Sequence, residues 1–238
     1  MNKPIIALDF ENRETVNQFL AKFDEQLFVK VGMELFYAEG PSVVRDIHAM
    51  GHDIFLDLKL HDIPNTVGRA MARLGELNVA ITNVHALGGA AMMKRAAESF
   101  KDKNPDGKLI AVTQLTSMSE SNVREEQQSK LGLDASIEHL ARLTLSSGLD
   151  GVVSSPLEAP SIHRICGDDF LTVTPGIRLG EDGNDDQVRV VTPDDAAVLG
   201  TDYIVVGRSI TTSEDPVEKY RLVKQLWENG NKNKDQVK

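Results

Sequence analysis

Two ionisable residues two positions apart, Asp57 and Lys59, carry the strongest chemical signal in the sequence. They lie in Asp53–Leu60, where alternating residue types predict a β-strand. The alternation places Phe55, Asp57 and Lys59 on one face of that strand and leucines on the other. Burying a carboxylate and an ammonium on an inward face is costly unless the two groups pair. The pattern predicts an ion pair that either serves a ligand or only fixes the interior of the fold.

Further polar residues fall on the same face of neighbouring strands, near the C-terminal ends of those strands. The alternation selects Asp9, Lys30, Asn83, His85, Gln114 and Thr116, and Asp62 follows the third strand. Apolar residues would fill a core at a lower cost in free energy than so many charges. The density of charge therefore favours a ligand site over a structural ion pair.

Two loops late in the chain have a composition that suits an anion. Pro175-Gly176-Ile177-Arg178 follows the seventh predicted strand, and Gly207-Arg208 follows the eighth. In a barrel of eight parallel strands these two loops are the usual phosphate site. Between them, Gly180–Gln187 is rich in Gly and Asp, which predicts either a mobile lid or a plain solvated loop.

The elements that would position these residues alternate along the chain. The predicted strands are Pro4–Phe10, Leu27–Met33, Asp53–Leu60, Ala80–Ala86, Lys108–Thr116, Gly151–Ser155, Leu171–Pro175 and Tyr203–Arg208. Helical spacing of apolar residues recurs between them, as in Glu11–Phe23, Pro64–Leu77, Ala90–Phe100, Ser136–Leu145 and Asp215–Trp227.

Strict alternation of eight strands with helices predicts an α/β fold, a single (β/α)8 TIM barrel with its active site at the C-terminal mouth. We expect the barrel domain to span residues 1–228 and residues 229–238 to form a polar, disordered tail. A doubly wound open sheet is the alternative fold. No G-x-G-x-x-G follows the first strand, where a dinucleotide-binding sheet of that kind would carry it.

Composition limits the classes of partner. The 238 residues are 41% hydrophobic and carry a net charge of −10, which argues against a surface that docks nucleic acid or anionic lipid. A small dianion is still compatible with that total if Lys30, Lys59, Arg178 and Arg208 gather at one mouth. The single cysteine, Cys166, favours a reducing, cytoplasmic location, and we expect no metal site because the histidines lack ligand spacing.

The run Asp57-Leu58-Lys59-Leu60-His61-Asp62-Ile63-Pro64-Asn65-Thr66 closely resembles the D-x-K-x-x-D-I-P-N-T signature of the orotidine 5′-phosphate decarboxylase family. The resemblance continues through Ala7-Leu8-Asp9, Val29-Lys30-Val31-Gly32, Val84-His85-Ala86, Gln114-Leu115-Thr116-Ser117, Pro175-Gly176-Ile177-Arg178, Asp186-Gln187 and Val205-Val206-Gly207-Arg208. D-x-K-x-x-D alone is shared with sugar-phosphate decarboxylases and synthases. The I-P-N-T and Q-L-T-S segments make the resemblance specific.

The resemblance implies decarboxylation of orotidine 5′-phosphate to UMP and CO₂ without a cofactor, the last step of pyrimidine nucleotide synthesis. It implies that Lys59 protonates C6 of the pyrimidine, that Asp57 lies beside the departing carboxylate, and that Asp62 completes an Asp-Lys-Asp array with Lys30 alongside. Asp62 and Thr66 would come from the partner subunit of a homodimer.

The resemblance also implies the contacts of the bound nucleotide. Asp9 and Lys30 would hold the ribose hydroxyls, Thr116 would face the base, and Ile63 and Pro175 would lie against the nucleotide. The phosphate would be bound by Arg178, Gln187, Gly207 and Arg208. Two other functions stay open: a metal-dependent sugar-phosphate decarboxylase or synthase, and a nucleotide-binding barrel without catalysis.

Overall fold

Eight parallel strands close into a barrel in the computed structural model, which describes residues 2–180 and 191–237. Each strand pairs with the next in chain order, and β1 pairs with β8 to complete the ring. The strands are β1 Ile5–Ala7, β2 Phe28–Gly32, β3 Asp53–Leu60, β4 Ile81–His85, β5 Lys108–Val112, β6 Gly151–Val153, β7 Leu171–Thr174 and β8 Tyr203–Val206. The predicted (β/α)8 barrel is confirmed, and the open sheet is wrong.

Helices connect the strands and cover the outside of the barrel. They are α1 Arg13–Leu20, α2 Met33–Glu39, α3 Pro41–Ala49, α4 Pro64–Gly75, α5 Gly89–Lys103, α6 Leu133–Ser146, α7 Ala159–Cys166, α8 Pro193–Val198, α9 Arg208–Thr211 and α10 Pro216–Val237. Within the described ranges, no helix is both long enough and apolar enough to cross a membrane.

Several strands end earlier than the sequence predicts. β1 ends at Ala7 and β5 at Val112, so Asp9 and Thr116 lie in the loops that follow these strands. Apolar and β-branched residues continue past both ends, and this composition made the segments resemble longer strands. The earlier ends place the polar side chains on loops at the mouth, where they face a ligand cavity.

The last helix differs from the predicted disordered tail. α10 runs from Pro216 to Val237, through the segment in which we expected no regular structure. Gly230 permits a close approach to α8, because a side chain there would collide with the backbone carbonyl of Asp194. The Asn231 amide also donates to the Trp227 carbonyl at 2.8 Å. These contacts explain why a polar segment continues the helix, and the domain boundary at residue 228 stays a prediction.

Two apolar layers hold the barrel. The smaller layer fills its interior with Ile5, Ala7, Phe28, Phe55, Ile81, Ile110, Val112, Val153, Val173 and Val205. The larger layer lies between strands and helices and includes Leu56, Leu58, Val67 and Met71. The interior layer stops below the C-terminal mouth, and the charged residues lie above it.

Polar side chains join neighbouring strands at the opposite, N-terminal rim. His52 precedes β3 and its Nδ1 accepts the Leu27 backbone N–H at 3.1 Å. Asp150 precedes β6 and accepts the Leu109 N–H at 2.8 Å. Asp202 precedes β8 and accepts the Thr172 N–H at 2.7 Å. We call these three residues and their partners the N-terminal rim. Each residue satisfies a backbone donor within one residue of the start of the preceding strand.

Candidate active site

Four charged side chains, from β2, β3 and the loop after β1, meet at the C-terminal mouth. Lys30 Nζ lies 2.9 Å from Asp9 Oδ1 and 3.6 Å from Asp57 Oδ2. Lys59 Nζ lies 2.7 Å from Asp57 Oδ1. We call these four residues the charged array. Asp57 is only 8% exposed, whereas the Asp9 side chain is open to solvent. The structure thus brings together four of the residues that the sequence singled out.

Lys59 reaches Asp57 through an irregularity in the strand. The pairing of β3 with β4 shifts register between Leu56 and Leu60, and Lys59 has a φ of 51°. A non-glycine residue in this left-handed region is strained, and such strain occurs preferentially at functional sites. Regular alternation was therefore the wrong reason for placing Lys59 beside Asp57, although both residues line the same cavity.

The cations around Asp57 control its protonation. Burial by itself would raise the pKa of the Asp57 carboxyl, but the charges of Lys30 and Lys59 oppose that effect. Hydrogen bonds from Lys59 Nζ and from the Asn83 amide lower the pKa further, so that it lies below the ordinary value. The arrangement keeps a negative charge within the mouth of the barrel.

Two cavities meet at Lys30. The first, of about 530 Å³, extends from Asp9 to the late loops. The second, of about 190 Å³, lies over the interior apolar layer and is lined by Asp57, Lys59 and Thr116. Pro175 lines both cavities. Their sizes and linings suit an elongated ligand with one polar end and one compact end.

The first cavity contains the cationic residues of the late loops. Arg178 follows β7 and is buried, and its backbone N–H donates to the Val191 carbonyl at 3.1 Å. Arg208 is exposed and begins α9 directly after Gly207. Together with Pro175, these residues line the same cavity as Lys30. The predicted anion-binding residues thus lie on one side of the charged array.

Three predicted site residues lie apart from these cavities. Asp62, Ile63 and Thr66 belong to the loop after β3 and the first turn of α4, and Ile63 is 67% exposed. Asp62 accepts the backbone N–H of Ile63 at 2.6 Å and forms no ion pair with any described residue. Gln187 lies outside the described residues, together with most of the Gly180–Gln187 segment.

A pair of histidines borders the array. The rings of His61 and His85 stack with their centroids 5.7 Å apart. Burial lowers the pKa of His85, and electrostatic repulsion from His61 and Lys59 lowers it further. The lowered pKa favours the neutral form of His85. Among the described residues, no three His, Cys, Asp or Glu side chains group as metal ligands.

Sequence reasoning placed Asn83 on the inward face but gave it no role. Its side chain is fully buried and bonds both Asp57 and the Lys59 backbone. Phe10, Thr211 and Thr212 line the first cavity and were also not predicted. Alternation along β4 is the signal that points to Asn83, whereas nothing in the sequence pattern singles out the other three residues.

The geometry supports chemistry in which negative charge develops next to Lys59. A lysine ammonium supplies a positive field and a transferable proton at one atom. The Asp57 carboxylate holds that ammonium at the edge of the second cavity, while Lys30 forms an ion pair with the other carboxylate oxygen. A ligand whose anionic end occupied the first cavity would place its other end against Lys59.

Comparisons with known proteins agree with this arrangement. The sequence profile of the family described as Orotidine 5′-phosphate decarboxylase / HUMPS family matches residues 2–223. An orotidine 5′-phosphate decarboxylase of Staphylococcus saprophyticus is 55% identical over 226 residues, covering 95% of this chain and 98% of the relative. One of Bacillus cereus is 56% identical over 229 residues, covering 94% and 96%.

Solved structures give the same picture. The crystal structure of orotidine 5′-phosphate decarboxylase from Lactobacillus acidophilus is similar, with a TM-score of 0.86 and 42% identity. The similarity covers 95% of this chain and 99% of that one. An uncharacterized conserved protein from Geobacillus kaustophilus has a TM-score of 0.84 at 45% identity, covering 94% and 99%.

Proposed function

The chain belongs to the orotidine 5′-phosphate decarboxylase / HUMPS family, and we propose that it converts orotidine 5′-phosphate to UMP and CO₂ without a cofactor. It would thereby act as a carboxy-lyase in the last step of pyrimidine nucleotide synthesis. One observation carries the proposal. The Lys59 ammonium is held by buried Asp57 at the edge of a compact cavity, next to a larger cavity that contains Arg178 and Arg208.

Lys59 is the proton donor in this reaction. The bond between C6 of the pyrimidine and its carboxylate breaks, the electron pair stays on C6, and CO₂ leaves. The Lys59 ammonium stabilises the developing charge and transfers a proton to C6, which leaves a neutral amine that solvent reprotonates. A fixed cation does this better than solvent, because it needs no reorganisation as the charge develops.

Asp57 and Lys30 prepare Lys59 for that step. Asp57 accepts the Lys59 ammonium at 2.7 Å, and Lys30 lies 3.6 Å from its other oxygen. The lowered pKa keeps Asp57 ionised. In the complex the Asp57 carboxylate lies beside the substrate carboxylate, and their repulsion is relieved when CO₂ departs. Lys30 and Asp9 bind the ribose hydroxyls from the neighbouring cavity.

The remaining contacts bind and orient the nucleotide. Arg178, Gln187, Gly207 and Arg208 bind the phosphate. Thr116 faces the base, and Pro175 and Ile63 lie against the nucleotide. Binding energy gained at the phosphate is used to hold the base against Lys59 and so increases the rate.

The complete site requires two copies of the chain. Asp62 and Thr66 reach the active site of a partner subunit, with Asp62 completing an alternating array of Asp57, Lys59 and Asp62. The absence of an ion pair between Asp62 and any described residue of its own chain supports this assignment. Ile63, between them, is exposed and would be covered by the partner. A cytoplasmic location suits a chain with the single cysteine Cys166.

The decisive experiment is the decarboxylation assay. Purified protein is mixed with orotidine 5′-phosphate in the presence and absence of EDTA, and the ultraviolet absorbance of the substrate is followed. We expect the same loss of absorbance in both samples. No loss would overturn the proposal, and tight UMP binding without turnover would identify a binding barrel. Loss that EDTA abolishes would support a metal-dependent reaction instead.

Mixing two inactive variants tests the shared site. Asp62→Ala and Lys59→Ala are inactive alone, but random exchange of subunits gives about a quarter of sites with neither substitution. Activity should therefore reappear on mixing. The matched control mixes Lys59→Ala with Asp57→Ala, whose substitutions fall in the same site and cannot complement. Equal activity in both mixtures would place Asp62 in its own subunit's site.

A further inference from the structure

Asn83 of β4 touches two residues of the charged array with a single amide. Its Nδ2 donates to Asp57 Oδ1 at 2.7 Å, and its Oδ1 accepts the backbone N–H of Lys59 at 2.8 Å. The side chain is fully buried. We infer that Asn83 is a positioning residue, which holds the Lys59 backbone in its strained conformation and sets the orientation of the Asp57 carboxylate. The kinetic part of this inference rests on the proposed decarboxylase function.

The strand register explains why an amide is needed at this position. Leu56 pairs with Thr82 and Leu60 pairs with Val84, so three residues of β3 lie opposite Asn83 alone. Such a bulge leaves backbone groups of β3 without ladder partners. The Lys59 N–H is one of these groups, and the Asn83 carbonyl accepts it. The side chain thus replaces a missing backbone partner at the strained residue.

The orientation of the amide follows from its neighbours. A backbone N–H only donates, and an ionised carboxylate only accepts. The Asn83 oxygen must therefore face Lys59 and its nitrogen must face Asp57. In the reversed amide, the Asn83 NH₂ group would face the Lys59 N–H, donor against donor. The Asn83 oxygen would face the Asp57 carboxylate, acceptor against acceptor. Asparagine offers a donor and an acceptor in this geometry whatever the pH, whereas ionised aspartate lacks the donor and leucine lacks both groups.

Three described elements supply the groups that face the Asp57 carboxylate. Lys30 comes from β2, Lys59 from β3 and Asn83 from β4. The two lysines also reach toward ligand cavities, whereas Asn83 is confined behind the array. Asn83 therefore acts through Asp57 and Lys59 and does not itself line either cavity.

Thr82 offers a matched control. It is the neighbouring residue, it is equally buried, and its hydroxyl donates to the Leu56 carbonyl at 2.9 Å across the same pair of strands. Its side chain lies on the opposite face of β4 from Asn83. Thr82→Val removes one buried hydrogen bond between β3 and β4 without touching the array, so it reports the cost of weakening this strand pair alone.

The first test measures the carboxyl of Asp57 in the protein without substrate, by ¹³C NMR during a pH titration. Asn83→Leu should raise the pKa of Asp57 relative to wild type, since it removes a hydrogen bond to the ionised form. Thr82→Val should leave that pKa unchanged. An Asp57 titration unaltered by Asn83→Leu, or altered equally by Thr82→Val, would overturn the inference whether or not the protein is a decarboxylase.

The second test measures turnover of orotidine 5′-phosphate. Asn83→Leu should lower kcat by about 10²-fold, the loss expected from misplacing a reacting group by about 1 Å. KM should stay close to wild type because the phosphate loops are untouched. Thr82→Val should keep the wild-type kcat. A wild-type protein that shows no turnover would contradict the proposed function, and the NMR titration would then decide the role of Asn83.

The isosteric variant Asn83→Asp separates positioning from simple packing and covers the case in which Asn83→Leu does not fold. A protonated aspartic acid can accept from Lys59 and donate to Asp57 as the amide does, whereas an ionised one repels Asp57. The kcat of Asn83→Asp relative to wild type should therefore rise as the pH falls. A ratio that does not change with pH would contradict the inference.

Discussion

The two ends of the barrel use carboxylates differently. At the N-terminal rim, Asp150 accepts the Leu109 backbone N–H at 2.8 Å and the Lys101 ammonium at 3.0 Å. At the C-terminal mouth, Asp57 accepts the Lys59 ammonium and the Asn83 amide. None of the hydrogen bonds described for the Asp57 carboxylate comes from a backbone N–H. Each carboxylate pairs with a lysine, yet only Asp150 at the rim also accepts a hydrogen bond from the backbone of a strand.

This difference distinguishes charged residues that stabilise the fold from charged residues that serve a ligand site. The carboxylates of the N-terminal rim satisfy donors that would otherwise be unpaired at the start of a strand, so their removal costs stability. The charged array satisfies no such donor through Asp57, and its lysines line ligand cavities. Charges that stabilise each other at the mouth of a barrel, where active sites of this fold lie, are better explained by catalysis than by folding.

The largest expected difference in turnover is between an Asp→Asn substitution at the C-terminal mouth and the same substitution at the N-terminal rim. Asp57→Asn removes the charge that holds Lys30 and Lys59, so turnover of orotidine 5′-phosphate should fall by about 10³-fold. Asp150→Asn should keep wild-type turnover and lower the melting temperature, since it weakens the bonds to Lys101 and Leu109. Steady-state assays and thermal unfolding measure the two effects. Equal losses of turnover in both variants would contradict the claim that Asp57 serves catalysis and Asp150 only stability.

The next contrast lies within the mouth, between the charged array and the loops that contain Arg178 and Arg208, for which we propose phosphate binding. Arg208→Ala should lower kcat/KM for orotidine 5′-phosphate by about 10²-fold, because a charged partner of the phosphate is lost. Orotidine, which lacks the phosphate, serves as the control substrate and should react equally with the variant and wild type. A similar loss with both substrates would assign Arg208 to the chemical step.

A smaller effect is expected at the N-terminal rim. Asp202 accepts the Thr172 N–H at 2.7 Å and the Thr172 hydroxyl at 3.0 Å. Asp202→Ala should lower the free energy of unfolding by about 1–3 kcal/mol, as buried donors lose their acceptor. Denaturant unfolding measures the change, and turnover at low temperature should stay at the wild-type level. A loss of turnover in fully folded protein would contradict a purely structural role.

The smallest effect concerns His163 at the same rim. The hydrogen bond with Asp202 raises the pKa of His163 and outweighs the opposing effect of burial. A raised pKa stabilises the fold below the ordinary histidine pKa of about 6.5, and the stabilisation is lost as the pH rises through the raised value. The difference in melting temperature between wild type and His163→Gln should therefore shrink as the pH increases from about 6. A constant difference would show that the pair does not affect stability through protonation.

The sequence predicted the fold because the barrel repeats a simple pattern eight times. Short β-branched runs alternating with helical spacing leave few other architectures, and every predicted strand is present. The ends of the strands were less well predicted, because loops such as the one after Val112 still contain β-branched residues. The helix through Asn231 depends on packing against α8, which local composition does not reveal.

The sequence predicted which charges meet but not how they meet. Alternation brought Asp9, Lys30 and Asp57 to one end, as the ion pairs confirm. The left-handed backbone at Lys59 and its bond to Asn83 depend on the register between two strands, which no pattern within either strand encodes. The roles of Asp62 and Thr66 depend on a second subunit and stay a prediction.

The most direct test of the account compares Lys59→Met with Lys101→Met. Each lysine pairs with a carboxylate at 2.7 or 3.0 Å, and their side chains are 27% and 31% exposed. The rate of decarboxylation of orotidine 5′-phosphate is measured for both variants and wild type after folding has been verified. Lys59→Met should reduce kcat by about 10⁴-fold or more, since proton donor and cation are lost together, and Lys101→Met should retain the wild-type rate. Near-normal decarboxylation by folded Lys59→Met protein would contradict the account.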